Sequence, residues 1–238
     1  VEGRGRAVGA SAEFLVPKWF DKRAHLTPAQ TVEELRCSLL IARELYLEHR
    51  KFDTAFGLHA ACIARQVKYC AKEDIPRLAA GYGPAEIDKA ILDALLRGTN
   101  TNFFDGMTHN IAGIDARLSR DLDDADVAQF LSRCKRRERV AVRHTVGLDD
   151  AIEGEGGVAD AKENAGARYF KLKLNGDPAT DTDRLIRIGR ELAKLPHDYK
   201  VTLDANEQYA DLNALAALVD RLDRDAALNP VAARLLYI

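Results

Sequence analysis

The 238 residues carry 35 Lys and Arg against 37 Asp and Glu, a formal net charge of -2, so no basic field favours nucleic acid or an anionic membrane surface as partner. With 47% hydrophobic and 30% charged residues the chain is able to bury a substantial core, and no apolar run is long enough to span a bilayer. No signal peptide is visible, and the four cysteines, Cys37, Cys62, Cys70 and Cys134, show no CxxC spacing, which argues against zinc and for reduced thiols in a cytoplasmic protein.

In chain order, residues 1–14 read as a strand already under way at Val1, and residues 15–27 as a loop containing Pro17, Trp19, Phe20 and Lys22. Residues 28–50 read as a helix with Thr27 as N-cap, and Leu35, Leu39, Ala42 and Tyr46 fall at helical spacing as its buried stripe. Further helices are predicted over 54–72 and 84–96, the latter with Ile87, Ile91 and Leu95 inward, and Gly81-Tyr82-Gly83-Pro84 marks the turn between them. Residues 115–126 and the basic stretch 133–139, read as a solvated helix face, lead out of this mostly helical region, which ends at residue 138.

From 139 to 238 the pattern changes to alternating strands and helices. Strands are predicted over 140–147, 168–174, 199–204 and 234–238, and helices over 157–165, 181–195 and 211–224. Alternation at this spacing means a parallel sheet, wound open or closed as a barrel, with helices packed on it. In such sheets the chemistry gathers at the carboxyl ends of the strands. Thr145, Lys171, Lys173, Asp204 and Asn206 stand there. Lys171 and Lys173 share one face of their strand, as do Asp204 and Asn206. A structural strand would carry Val or Ile at such positions, because an unpaired buried ammonium loses its hydration. The alternative is that Lys171 and Lys173 lie on the solvent face of an edge strand. Alternation assigns His144 to the helix side and Thr145 to the opposite face. His49, His59 and His109 read as structural or surface residues, with no carboxylate or Cys at ligand spacing, and Gly176-Asp177-Pro178 reads as a turn into a helix.

The pairing of Lys171-Leu172-Lys173 with Asp204-Ala205-Asn206 resembles the enolase superfamily of the mandelate racemase and muconate lactonizing type. The resemblance implies a modified (β/α) barrel over 139–238, in part, preceded by an N-terminal α+β capping domain over 1–138. It further implies Mg²⁺ at the strand ends and abstraction of the α-proton of a small carboxylate substrate through an enediolate. Racemisation, epimerisation, acid-sugar dehydration and cycloisomerisation all begin with that step. Carried over by position, Lys173 would be the base, Lys171 would hold the carboxylate and tune its neighbour, Asp204 would be a metal ligand and Asn206 a neighbour of the site. A homo-oligomer is expected, with neither nucleic acid nor membrane as partner.

The resemblance gives Trp19 and Phe20 a role in a loop that closes over the barrel mouth and selects the substrate, the alternative being that they pin the loop to the capping helices. The further metal ligands and the second acid/base expected in the superfamily would lie beyond Ile238, so the residues read as an internal portion of a longer enzyme. Two other functions fit the same residues: a (β/α) barrel lyase whose lysine forms a Schiff base, and a catalytically silent barrel.

Overall fold

The computed structural model describes residues 5–160, 166–206 and 208–238, in two units, Val1–Arg136 and Arg137–Ile238. The first unit is helical. Helix α1 (Pro28–Glu48) opens with a capping box in which the Thr27 hydroxyl accepts from the Gln30 N–H and the Gln30 side chain accepts in return. Helix α2 (Ala55–Lys72) is capped by Thr54, and the single-turn α3 (Arg77–Ala80) leads into α4 (Tyr82–Thr99). Helices α5 (Phe103–Thr108) and α6 (Asp124–Arg133) follow.

The stripe that α1 buries is Thr31, Leu35, Ser38, Ala42 and Leu45, while Leu39 and Tyr46 are half-buried. Ser38 belongs to the stripe because it is satisfied inside. Its hydroxyl donates to Ala80 O and accepts the Gly83 N–H, and Gln66 donates to Ser38 O and Ala80 O. A Cβ on Gly83 would stand 2.3 Å from Ser38 O, so this glycine serves close helix packing, and the predicted turn at 81–84 is instead the start of α4. For the same reason α4 buries Tyr82, Gly83, Pro84 and Glu86, whereas Ile87, Ile91 and Leu95 are half-buried.

Two further expectations are corrected. Residues 5–16 form no strand: with no partner strand beside them among the described residues, their polar groups bond to α4, Ala10 N–H to Asp93 and Ser11 Oγ to Glu86 O. The basic run is not a helix face beyond Arg133, where α6 ends, and residues 135–139 are exposed chain, since they bring no apolar residue to bury and several like charges. All four cysteines are free thiols. Cys37 sits on α1, and Cys62 and Cys70 are buried on α2.

The second unit is α/β. Strands β1 (Arg143–Val146), β2 (Tyr169–Lys173), β3 (Lys200–Asp204) and β4 (Leu235–Tyr237) form one parallel sheet in chain order. Between them run α7 (Pro178–Leu192), α8 (Leu212–Arg224) and the short α9 (Asn229–Ala232). Helix α7 starts three residues before its predicted position because Asp177 accepts the Thr180 N–H and Pro178 occupies the first turn. Of the helix expected over 157–165, residues 157–160 form turns and 161–165 lie outside the described residues. One face of the sheet, Val146, Phe170, Leu172, Leu174, Val201 and Leu203, packs on Leu185, Ile188 and Leu192 of α7 and Leu218 and Leu222 of α8. The opposite face carries the polar residues.

Candidate functional site

Alternation along β2 sends Phe170, Leu172 and Leu174 into the core and leaves Lys171 and Lys173 on the face away from it. The register then matters: Lys173 pairs with Asp204 on β3, and Lys171 pairs with Thr202 on β3 and Thr145 on β1. Lys173 Nζ donates to Asp204 Oδ2 at 2.8 Å, and Lys171 Nζ lies 3.1 Å from the same oxygen. Lys173 also donates to Asn206 Oδ1. Asp204 Oδ1 accepts the Asn206 N–H at 3.1 Å, and Asn206 sits at φ +45°, a left-handed conformation that Asn adopts more readily than most residues. Thus Lys171 and Lys173 meet at the Asp204 carboxylate, and Asn206 joins them through its backbone N–H to Asp204 and its side-chain oxygen to Lys173.

The electrostatics follow from that geometry. The two lysine side chains keep 20% and 18% of their exposure and Asp204 keeps 28%, so the charges are only partly screened by water. Burial by itself would raise the Asp204 carboxyl. The hydrogen bonds from Lys173 and Lys171, with that from Asn206 N–H, outweigh it and hold the group down at about 2. Two ammonium groups facing one carboxylate leave one positive charge in excess, which suits an anionic ligand. Thr145 is exposed beside Lys171. Thr202, on the same face, is buried, and its hydroxyl has no hydrogen-bond partner among the described residues.

Trp19 and Phe20 belong to the first unit. Phe20 packs edge-on against Tyr82 at 5.4 Å, as the pinned-loop reading requires, whereas Trp19 is exposed and lines a groove of about 720 Å³ with Phe14, Val16, Leu78 and Tyr82. Arg23 fastens the same loop through Asp21, Glu34 and Asp74.

The histidines divide. His144 lies edge-on to Phe170 at 5.9 Å, on the core side of the sheet. His59 and His49 do have carboxylate neighbours, contrary to their sequence reading. Folding brings Asp88 of α4 to 2.7 Å from His59 Nδ1 and places Tyr46 OH 2.6 Å from the other Asp88 oxygen. His49 lies 3.8 Å from Asp53, four residues on, a spacing visible in the chain.

Asp181 is a polar residue of the core to which the sequence reading assigns no role. It follows the same helical stripe as Leu185, Ile188 and Leu192, where an acid has no reason to be unless it is bonded inside, and that spacing was the available signal.

No group of three His, Cys, Asp or Glu side chains that would hold a metal ion occurs among the described residues, and no helix is long and apolar enough to cross a membrane. No family model, curated protein or solved structure matches the chain.

Proposed function

We propose that this chain belongs to an enolase-superfamily enzyme of the mandelate racemase and muconate lactonizing type, which removes the α-proton of a carboxylate substrate through an enediolate at the carboxyl ends of a (β/α) barrel. The observation that carries the reading is the meeting of Lys171 and Lys173 at Asp204 on adjacent parallel strands.

In this reading Lys173 Nζ is the base. Its lone pair takes the α-hydrogen, and the C–H electron pair passes into the carboxylate as the enediolate forms. To accept that proton the Lys173 ammonium must first release one of its own to solvent and be free of Asp204 and Asn206, the two groups it now donates to. Lys171 Nζ, on the same face one row below, anchors the substrate carboxylate and opposes the second negative charge that develops on it. Thr145, in register with Lys171, offers a hydroxyl to the same anion.

Mg²⁺ is part of the proposal, and the residues present fit it in one position. Asp204 is an ionised hard-oxygen donor, and the Asn206 amide oxygen accepts from the same Lys173 nitrogen as Asp204 does. The described residues bring no group of three His, Cys, Asp or Glu side chains together there, so no step is assigned to the ion. When bound, it would supply positive charge for the enediolate.

The test is α-proton exchange. A screen of acid sugars, hydroxy acids and dipeptides in D₂O by NMR identifies a substrate, and Lys173→Met, which keeps the aliphatic stem, is then compared with wild type. Lys173→Met abolishes exchange if Lys173 is the base. Retention of near wild-type exchange sinks that assignment, and a borohydride-trapped adduct on Lys173 would replace it with Schiff-base chemistry. Lys171→Met should weaken substrate binding as well as exchange.

A further inference from the structure

Asp181 is fully buried on the core stripe of α7, and its carboxylate is satisfied by three donors, none from its own helix. Oδ1 accepts the Asn175 N–H at 2.9 Å. Oδ2 accepts the Gly176 N–H at 3.1 Å and the Tyr209 hydroxyl at 2.8 Å. Asn175 and Gly176 leave the end of β2, two and three residues after Lys173, and Tyr209 leaves the end of β3, three residues after Asn206. The N-cap of α7 is already provided by Asp177, so Asp181 is not needed to cap the helix.

A second contact joins the same two segments. Gly176 holds φ +93°, and a Cβ there would stand 2.3 Å from Gln208 O. The chain leaving β2 therefore lies directly against the chain leaving β3, backbone to backbone, and Asp181 bonds to both. Tyr209 is driven the same way: its burial, and then its hydrogen bond to Asp181, raise its hydroxyl above the usual range, so it stays a donor.

We infer that Asp181 is the positioning residue of the strand-end cluster: by tying the segments after β2 and β3 together it fixes the distance between Lys173 and the pair Asp204 and Asn206. This rests on the reading that the cluster is the reactive site, but its geometry can be tested without a substrate. A carboxylate can accept from all three donors. An amide in the same place turns an N–H toward at least one of them, so Asp181→Asn loosens one segment while keeping side-chain volume.

The experiment is trace acetylation of the whole protein with acetic anhydride, measuring by mass spectrometry the labelling of Lys173 relative to the exposed Lys200. Asp181→Asn should raise that ratio by about threefold or more, the scale of one lost net hydrogen bond. Asp177→Ala, which removes the α7 cap and so destabilises the same unit, should leave the ratio at its wild-type value. Equal ratios in Asp181→Asn and Asp177→Ala at matched melting temperature overturn the inference and leave Asp181 a purely structural residue. If Asp181→Asn does not fold, Tyr209→Phe decides. It keeps both backbone bonds and loses the hydroxyl, and should raise the ratio less, whereas an unchanged ratio overturns the inference. Absence of α-proton exchange in wild type would sink the catalytic reading and leave the labelling result standing.

Discussion

Asp204→Asn removes the charge on which both lysines rest while keeping an oxygen for the Asn206 N–H. In the folded chain the Asp204 carboxyl is held at about 2, against 3.8 for the free group. At ~1.4 kcal/mol for each tenfold change in acidity, that difference is about 2 kcal/mol of native-state stabilisation. Since 28% of the side chain remains exposed, screening at ordinary salt trims this to ~1–2 kcal/mol. Because the folded value is depressed, the contribution is present above 3.8 and is lost as pH falls through about 2. The cost of Asp204→Asn should therefore be full at pH 7 and shrink toward nothing near pH 2. The one tryptophan, Trp19, lies in the first unit, so its fluorescence does not report on the sheet. Amide hydrogen exchange of Leu172 and Leu203 does. A substitution that costs nothing at neutral pH, or costs the same at pH 2 as at pH 7, would refute the assignment of that stability to the lysine pair.

Gly176→Ala should destabilise the second unit by ~1–3 kcal/mol in the same exchange experiment, because the φ of +93° is strained for any Cβ and the backbone of Gln208 fills the space. Ile188→Ala, at a fully buried position between sheet and helices, should cost about 2–5 kcal/mol through lost burial and the cavity left behind. The hydrogen bond to Asp88 raises His59 above its usual range against the opposing effect of burial. Stability from this pair is full below the usual histidine value and is lost as pH rises through the raised one, so urea unfolding followed by Trp19 fluorescence should show the first unit weakening over that window, with Asp88→Asn abolishing the slope.

Much of the second unit was legible because burial of one face fixes alternation. Once Phe170, Leu172, Val201 and Leu203 are inside, Lys171, Lys173 and Asp204 have only the other face to occupy. Helix starts were legible at Thr27 and Asp211 but not at Asp177, whose equivalent cap starts α7 three residues ahead of its predicted position. Close approach was not. Gly83 looked like a turn residue and is a packing residue, because what excludes a side chain there is the Ser38 carbonyl, which comes from a distant part of the sequence. The predicted strand at the start rested on alternation without a partner to bond to, and its residues bond to α4 instead. His59 with Asp88 and Asp181 with Tyr209 are likewise contacts across 29 and 28 residues.

Burial also makes the thiols of α2 a clock. Cys62 and Cys70 are raised above the usual thiol range, chiefly by burial, and a thiol must both reach solvent and lose its proton before an alkylating reagent attacks it. In the folded chain neither condition is met, so the rate at which iodoacetamide modifies these two sulfurs counts the openings of the helix that carries them. The interior of the first unit thus contains its own reporters, and its local stability can be timed on the unaltered protein without an introduced label.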